Sequence, residues 1–299
     1  MQAIEALKAF FSKEMDIVAV YLYGRYADER TWPDTDIEVA LLFRDELGPD
    51  EISAYLERLP GALPLGGNPG ILLPIALNIH ILPVIYEILS SGTLIVENSP
   101  KEREAFIQIA RSRVEEERQA MLEEARMAIL QARNLPFQAG SAAVHILPQP
   151  PRSLDPLRIG WRLARVLTSF PLLEQMTRDV EATSRDPERV GQAIGLFMNA
   201  AGAVTGIAKA MLLSFDIPRP NRRWQVFFPL ADAGLITMEL ALQMALMVET
   251  RWQFMTASGF IAPDRALTNI RWLLPPLLSF ARLSAWYTEV PGPEGKTLH

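Results

Sequence analysis

The 299-residue chain has no cysteine and only three histidines, His80, His145 and His299. Without cysteine there is no disulfide framework, no thiol nucleophile and no thiolate zinc site. Three imidazoles are too few for a His-rich metal centre. Neither His80 nor His145 sits in the nucleophile-elbow setting that a Ser-His-Asp triad would need. The first residues are not a basic segment followed by an apolar one, so no secretory signal is read and a cytoplasmic location is expected. Long uninterrupted apolar runs are also missing. The stretch 197–215 is broken by Asn199, Lys209 and Gly and Ser positions, and 71–88 by Pro74, Asn78, His80, Pro83 and Glu87. A membrane span wants about 20 apolar residues with few charges. Both stretches are therefore read as buried core, and no membrane partner is expected.

What is present suits a folded protein of two bodies. Hydrophobic residues make up 49% and charged residues 21%, enough to bury a core and too apolar for a disordered chain. Charge is unevenly spread. Residues 1–134 carry 13 Lys and Arg against 22 Asp and Glu, and residues 135–299 carry 16 against 13. The acidic half repels phosphate unless a metal ion intervenes. The excess of cations in the second half is too small to predict nucleic-acid binding from charge alone.

Periodicity assigns mixed α and β elements to the first half. Ile4, Leu7, Phe10 and Phe11 give helical spacing over 2–14. Residues 17–23 form a β-rich run ended by Gly24, and 34–43 alternate before turning fully apolar, as a strand entering a core does. A helix is expected over 49–59, a Gly/Pro loop over 61–70, and a third strand region over 71–82 broken at Pro74. A helix over 83–91 ends at Gly92. A long helix to about Arg133 has Ser99 as N-cap, Pro100 at its first position and Glu102 at its third. Residues 134–153, rich in Pro and Gly, read as a linker. From 154 to 287 the pattern is helical throughout, with breaks expected near 171, 187, 218–220, 234, 259–263 and 275, giving four or five helices in a bundle. Residues 291–299 read as a tail. The fold class is α+β: a 1–133 α/β domain, then a 154–290 all-α domain.

Within the first half, residues 34, 36 and 38 share one face of a strand, because side chains alternate. Asp34 and Asp36 thus set two hard oxygen ligands side by side, with Glu38 on the same side, and Gly24 just upstream offers backbone N–H groups to phosphate. That arrangement suits Mg²⁺ holding a nucleoside triphosphate. Asp-x-Asp by itself is equally the mark of a solvated strand edge.

The run Leu22-Tyr-Gly-Arg-Tyr-Ala, then Pro33-Asp-Thr-Asp-Ile-Glu-Val, resembles the minimal nucleotidyltransferase family of the polymerase-β superfamily. That family has Gly-Ser, about ten residues, then Asp-x-Asp. Downstream, Tyr86-Glu-Ile-Leu-Ser-Ser-Gly-Thr-Leu-Ile-Val-Glu97 and the long helix after it are similar too. The resemblance covers residues 1 to about 133. It implies Gly24 and Arg25 at the triphosphate and Asp34, Asp36 and, in part, Glu38 at Mg²⁺. Two departures stand out. Arg25 replaces the family's serine. Residues 75–82 hold no acid where the third carboxylate is expected, leaving Asn78 or His80 in its place. Two-metal transfer needs that carboxylate as ligand or base.

The helical half resembles the HEPN family, in the subgroup that pairs as toxin with a minimal nucleotidyltransferase antitoxin. The order carrying the likeness is the apolar helix 192–213, then Ala-Gly-Leu-Ile at 233–236, Glu-Leu-Ala at 239–241, and Arg251. HEPN ribonucleases use Arg, four residues, His, one residue, Tyr. Here Arg251 is followed by Thr256 in the His position and Ser258 in the Tyr position, and no histidine lies between 146 and 298. Threonine does no acid–base work near neutral pH, so ribonuclease activity is not expected. The resemblance implies an antitoxin and a toxin fused in one chain with both sites eroded: a pseudoenzyme that binds nucleotide or RNA as a regulator or scaffold. The alternative is a divergent Mg²⁺-dependent nucleotidyltransferase moving NMP from an NTP to a protein or small-molecule acceptor. A homodimer through the helical half is expected, with Met247, Trp252, Phe254 and Met255 in its seam. Arg158, Arg162 and Arg165 share a helical face, read as solvated or as a grip for RNA.

Overall fold

The computed structural model describes residues 2–23, 37–63, 72–135, 154–218, 220, 222–257, 261–291 and 297–298. It divides into two compact units, Met1–Arg118 and Gln119–His299. The division falls inside the long helix, earlier than the boundary at 133 expected from the sequence. The reason is burial: Ala125, Ala128, Ile129 and Ala132 belong to the helical unit.

The first unit runs α1 (Gln2–Phe11), β1 (Ile17–Tyr23), β2 (Ile37–Phe43), α2 (Pro49–Ala62), β3 (Leu72–Ala76), α3 (Leu82–Ser91), β4 (Thr93–Glu97) and the start of α4 (Pro100–Arg133). The sheet order is β3-β2-β1-β4, with β1 antiparallel to β2 and β4, and β3 parallel to β2. One face of the sheet, built from Leu22, Ile37, Val39, Leu41, Phe43 and Leu72, forms a core with Leu7 and Phe11 of α1 and Ile52 and Leu59 of α2. Ala19, Ala40 and Leu42, on the other face by alternation, are buried outside that core, as are Leu82, Val84, Ile85 and Ile88 of α3.

Pro74 does not break β3. It pairs with Val39 in an edge strand, where a missing N–H costs no ladder bond on the open side. The strand ends at Ala76, and residues 77–81 form the turn into α3. The start of α4 is stapled as its sequence suggests, with one change. Glu102 accepts from the Ser99 hydroxyl at 2.9 Å and from Arg44 Nη1 at 2.8 Å. Its carboxylate thus ties the helix start to the end of β2.

The second unit contains the rest of α4, then α5 (Pro156–Arg178), α6 (Val180–Ser184), α7 (Pro187–Ser214), a 3₁₀ turn (Arg223–Phe227), α8 (Phe228–Asp232), α9 (Met238–Ala257) and α10 (Pro263–Trp286). A small hairpin, β5 (Val290–Pro291) with β6 (Thr297–Leu298), follows. Asp155 and Asp186 cap α5 and α7 by accepting from backbone N–H groups of the first turn. Helix α7 packs against α5, α9 and α10. Its residues Phe197, Ala201, Val204, Ile207, Ala208 and Met211 are fully buried. By length and composition α7 is apolar enough to cross a membrane; here those properties serve a central core helix.

Breaks expected at 171 and 275 are absent. Pro171 lies inside α5, and Pro275 and Pro276 lie inside α10. A proline frees the carbonyl four residues back. For α10 those carbonyls belong to Arg271 and Trp272, both exposed residues.

Candidate functional site

The site expected in the first unit lies where β1 ends and β2 begins. Gly24, Arg25, Asp34 and Asp36 lie outside the described residues. Glu38 is described. Its register partner across the sheet is Tyr23 on β1, and on the other side Leu73 on β3. Side chains in register project on the same face of a sheet. Tyr23, Glu38 and Leu73 therefore stand in a row, all half-buried, on the face opposite the α1–α2 core.

This register corrects the expected third position. Asn78 and His80 are at the wrong end. Asn78 Oδ1 accepts from Phe43 N at 2.8 Å, and its Nδ2 donates to Phe43 O at 3.0 Å. Its side chain thus extends the β2 ladder at that strand's C-terminus. Six residues separate Phe43 from Ile37, roughly 20 Å of strand. His80 sits in the turn before α3, its Nδ1 accepting from Ile81 N at 3.0 Å. A strand parallel to β2 begins at the same end as β2, so the position beside Glu38 is near the start of β3, not past its end. There stands Leu73, and β3 as a whole, Leu-Leu-Pro-Ile-Ala, holds no acid.

A carboxylate reaches this region from elsewhere. The Tyr23 phenol is held well above the usual tyrosine range, first by burial, then by the negative charges of Glu38 and Glu87. The phenol therefore stays protonated near neutral pH. Glu87 comes from α3, whose C-terminal Gly92 closes onto β1. A Cβ at Gly92 would lie 3.2 Å from Leu22 O and 2.6 Å from Ile88 O. Nothing in the sequence period signalled Glu87, because its role depends on α3 lying over that face. Among the described residues no three His, Cys, Asp or Glu side chains group as a metal site.

Residues 5–101 match the family described as Polymerase beta, Nucleotidyltransferase. The first unit carries a nucleotidyltransferase domain of that family. The match ends at the start of α4 and does not extend into the helical unit. Among solved structures, a mutant of the toxin–antitoxin MntA-HpeT is similar at 17% identity and a TM-score of 0.31, over 41% of this chain and 97% of that one. No curated protein matches the chain.

In the helical unit, Arg251 of α9 lies against α7. Its Nε donates to Met198 O at 3.2 Å, and its guanidinium is within 3.8 Å of where a Cβ on Gly202 would be. Thr256 spends its hydroxyl locally, donating to Trp252 O at 2.9 Å. Ser258 lies outside the described residues. Two residues expected in a dimer seam are instead core: Met247 is fully buried, and Phe254 packs edge-on against Phe197 at 5.7 Å. They point inward because α9 turns its Met244–Met247–Phe254 side into the helical core. Trp252 and Met255 are half-buried. The exposed apolar row on α9 is Met238, Leu242 and Leu246.

The arginine face of α5 is not simply solvated. Arg162 is 9% exposed. Its Nη1 donates to Arg158 O at 2.6 Å, and its guanidinium lies 4.4 Å from the Trp161 ring centroid. It also runs close over Gly206 of α7, where a Cβ would meet its Nε at 2.5 Å.

Proposed function

We propose that this chain is a fused antitoxin–toxin-like protein whose first unit holds a Mg²⁺–nucleoside triphosphate weakly and whose HEPN-like helical unit has lost ribonuclease chemistry. It acts in the cytoplasm as a regulatory scaffold rather than as a fast catalyst. The observation that carries the reading is Leu73 beside Glu38, an apolar side chain at the strand position next to the carboxylate row. The nucleotidyltransferase match over 5–101 supports the nucleotide, and the hard oxygens of Glu38, Asp34 and Asp36 suit Mg²⁺. The ion would supply charge neutralisation for the β- and γ-phosphates. Gly24 would bring backbone N–H groups to them, and Arg25 a guanidinium.

Calorimetry with Mg²⁺·ATP tests this directly. We expect a dissociation constant in the millimolar rather than micromolar range, a difference of about 4 kcal/mol, and loss of the signal in Asp36→Ala. Tight binding untouched by Asp36→Ala would remove the nucleotide from this site.

For the helical unit, the expected result is that purified protein leaves tRNA and mRNA intact. Acid–base catalysis on a 2′-hydroxyl needs a group titrating near neutrality. Thr256 has none and is already bonded to its own helix. Thr256→His alone should not restore cleavage, because Arg251 is engaged with the α7 backbone. Cleavage by the wild type that vanishes in Arg251→Ala would refute this part. A homodimer belongs to the same reading, with the Met238–Leu242–Leu246 row of α9 replacing the seam first expected from the sequence.

A second reading is favoured by the carboxylate pair around Tyr23: residual nucleotidyl transfer. The acceptor oxygen would attack the α-phosphorus, the bond to the β-phosphate bridge would break, and pyrophosphate would leave.

A further inference from the structure

We propose that the first half of α10 binds single-stranded nucleic acid, with Trp272 as a platform on which a base stacks and Arg265 and Arg271 as contacts for the phosphates beside it. The site lies wholly in the helical unit and is independent of the nucleotide reading of the first unit.

Other tryptophans of the helical unit are already engaged. The Trp161 ring has Arg162 and Arg165 over it, at 4.4 and 5.6 Å. Trp224 stands edge-on to Phe228, and Trp286 lies under Arg133. Trp272 differs. It is 57% exposed, and no ring or cation among the described residues stacks on it. An indole left in water forgoes the burial and stacking it would gain against a flat partner. The basic face of α5 offers less, since Arg162 is buried and Arg165 is spent on Trp161.

Cations flank Trp272 on its own helix. At 3.6 residues per turn, Arg265, Thr268, Arg271 and Trp272 fall on one side of α10, and all four are exposed. Neither Arg265 nor Arg271 forms an ion pair among the described residues. Asp264 shares that side, but it lies in the first turn, where a carboxylate complements the helix dipole, about 12 Å along the axis from Trp272. Leu154 N donates to Tyr287 O, so α5 begins where α10 ends, and the two helices pack together. The first half of α10 therefore lies toward the end of α5 and α6. Of the acids there, Glu181 is paired with Arg185 and Asp179 caps α6, while Glu174 is offset by Arg178 one turn further along α5. A strand with a free base face and phosphates on either side fits this pattern of one open ring between two cations. A duplex does not, because its base faces are stacked inside it.

Fluorescence anisotropy of labelled oligo-uridylate and oligo-thymidylate, each of about 12 nucleotides, is measured on the full-length protein across a salt series. The two oligomers separate RNA from DNA as the source of the strand. We expect Trp272→Ala to weaken binding about tenfold and Trp272→Phe to keep most of it, because the phenyl ring still stacks. Arg265→Ala with Arg271→Ala should lower the steepness of the salt dependence by about 1.4, at about 0.7 per phosphate on a single strand. A duplex of the same length should bind more weakly than either oligomer. All three side chains are exposed, and far-UV circular dichroism checks that each variant is folded. Failure of both oligomers to bind at low salt would overturn the proposal. So would binding that neither Trp272→Ala nor the double arginine variant changes, or a duplex held as tightly as a single strand. Light scattering tests the competing occupant: a dimer that becomes a monomer in Trp272→Ala would assign this face to a second copy of the chain and remove the nucleic acid from it.

Discussion

A fragment beginning at Leu154 will not fold as the helical unit, whereas one beginning at Gln119 will. The sequence reads 134–153 as a linker and suggests cutting there. The packing says otherwise. Ala128, Ile129 and Ala132 of α4 are buried in the helical core, and Ala125 is buried where α4 meets Gly160 of α5. Removing one isoleucine and three alanine side chains from a core forfeits about 6 kcal/mol at about 0.8 kcal/mol per buried carbon. That is of the order of a whole domain's net stability, about 5–15 kcal/mol. The loss is larger than this sum because polar ends are also tied across the same seam. Arg133 donates from Nε to Ala285 O at 3.0 Å and from Nη2 to Thr288 O at 2.6 Å, and its guanidinium lies 5.1 Å from the Trp286 ring centroid. It thus adds a second donor to Ala285 O, which also accepts from Thr288 N, and engages Thr288 O just past the end of α10. Arg282 of α10 returns the favour, donating to Leu135 O just past the end of α4. Burial in this seam lowers the Arg133 pKa below the usual arginine value. Circular dichroism and thermal melts of the two fragments decide the matter. A cooperative melt from the 154–299 fragment matching that of 119–299 would show that the C-terminal half of α4 is dispensable.

How far the fold could be read in the sequence follows from which signals are local. Strand β1, helix α3 with Gly92 at its end, and the Ser99–Pro100 start of α4 all fall where period and capping chemistry place them, because each depends on residues a few positions apart. Pro74 misled, since a proline's cost depends on whether its strand is an edge, and that is set by the partners of β2. Pro275 and Pro276 misled for the same kind of reason: the carbonyls they free belong to exposed residues, Arg271 and Trp272. The candidate site shows the limit most plainly. Glu38 stands on the sheet face opposite the α1–α2 core, as alternation with Ile37 and Val39 requires, while Asp34 and Asp36, expected beside it, lie outside the described residues. The third ligand was sought at Asn78 and His80, because sequence order says nothing about whether β3 runs parallel or antiparallel to β2, and that direction decides which end of the strand meets the site. Glu87 carried no signal at all, as its position is a consequence of α3 crossing one particular face. The apolar residues of α9 were legible as buried or paired, but Met247 and Phe254 face the unit's own core while Met238, Leu242 and Leu246 do not. Helical spacing defines a stripe without saying what it packs on.

Replacing Gly160 with alanine will destabilise the helical unit, against the direction that helix propensity dictates. Gly160 lies inside α5, and at an open helical position a glycine-to-alanine change stabilises by about 1 kcal/mol. Here a Cβ would fall 2.3 Å from Ala125 Cβ and 2.5 Å from Ala125 Cα, where carbon atoms prefer about 3.5–4.0 Å. The obstacle is the backbone of α4 and a methyl group with no rotamer to move. The two helices must separate by more than an ångström, and that opens the contacts of Ile159 and Leu163 beside the crossing, both fully buried. Overpacking of this kind costs about 1–3 kcal/mol, which outweighs the propensity gain, so the unit's melting temperature should fall by several degrees. Gly191 and Gly195 of α7 provide the internal control, since neither would meet anything within 4 Å of an added Cβ. Alanine at either should raise the melting temperature or leave it unchanged. The partner substitution Ala125→Gly, which removes the nearest of the atoms in the way but leaves the backbone, should restore part of the stability lost in Gly160→Ala, with a coupling well beyond the additivity seen for distant sites. If Gly160→Ala instead stabilises the protein as the two control substitutions do, the α4–α5 crossing is looser than described. The claim that the second half of α4 belongs to the helical unit would fall with it.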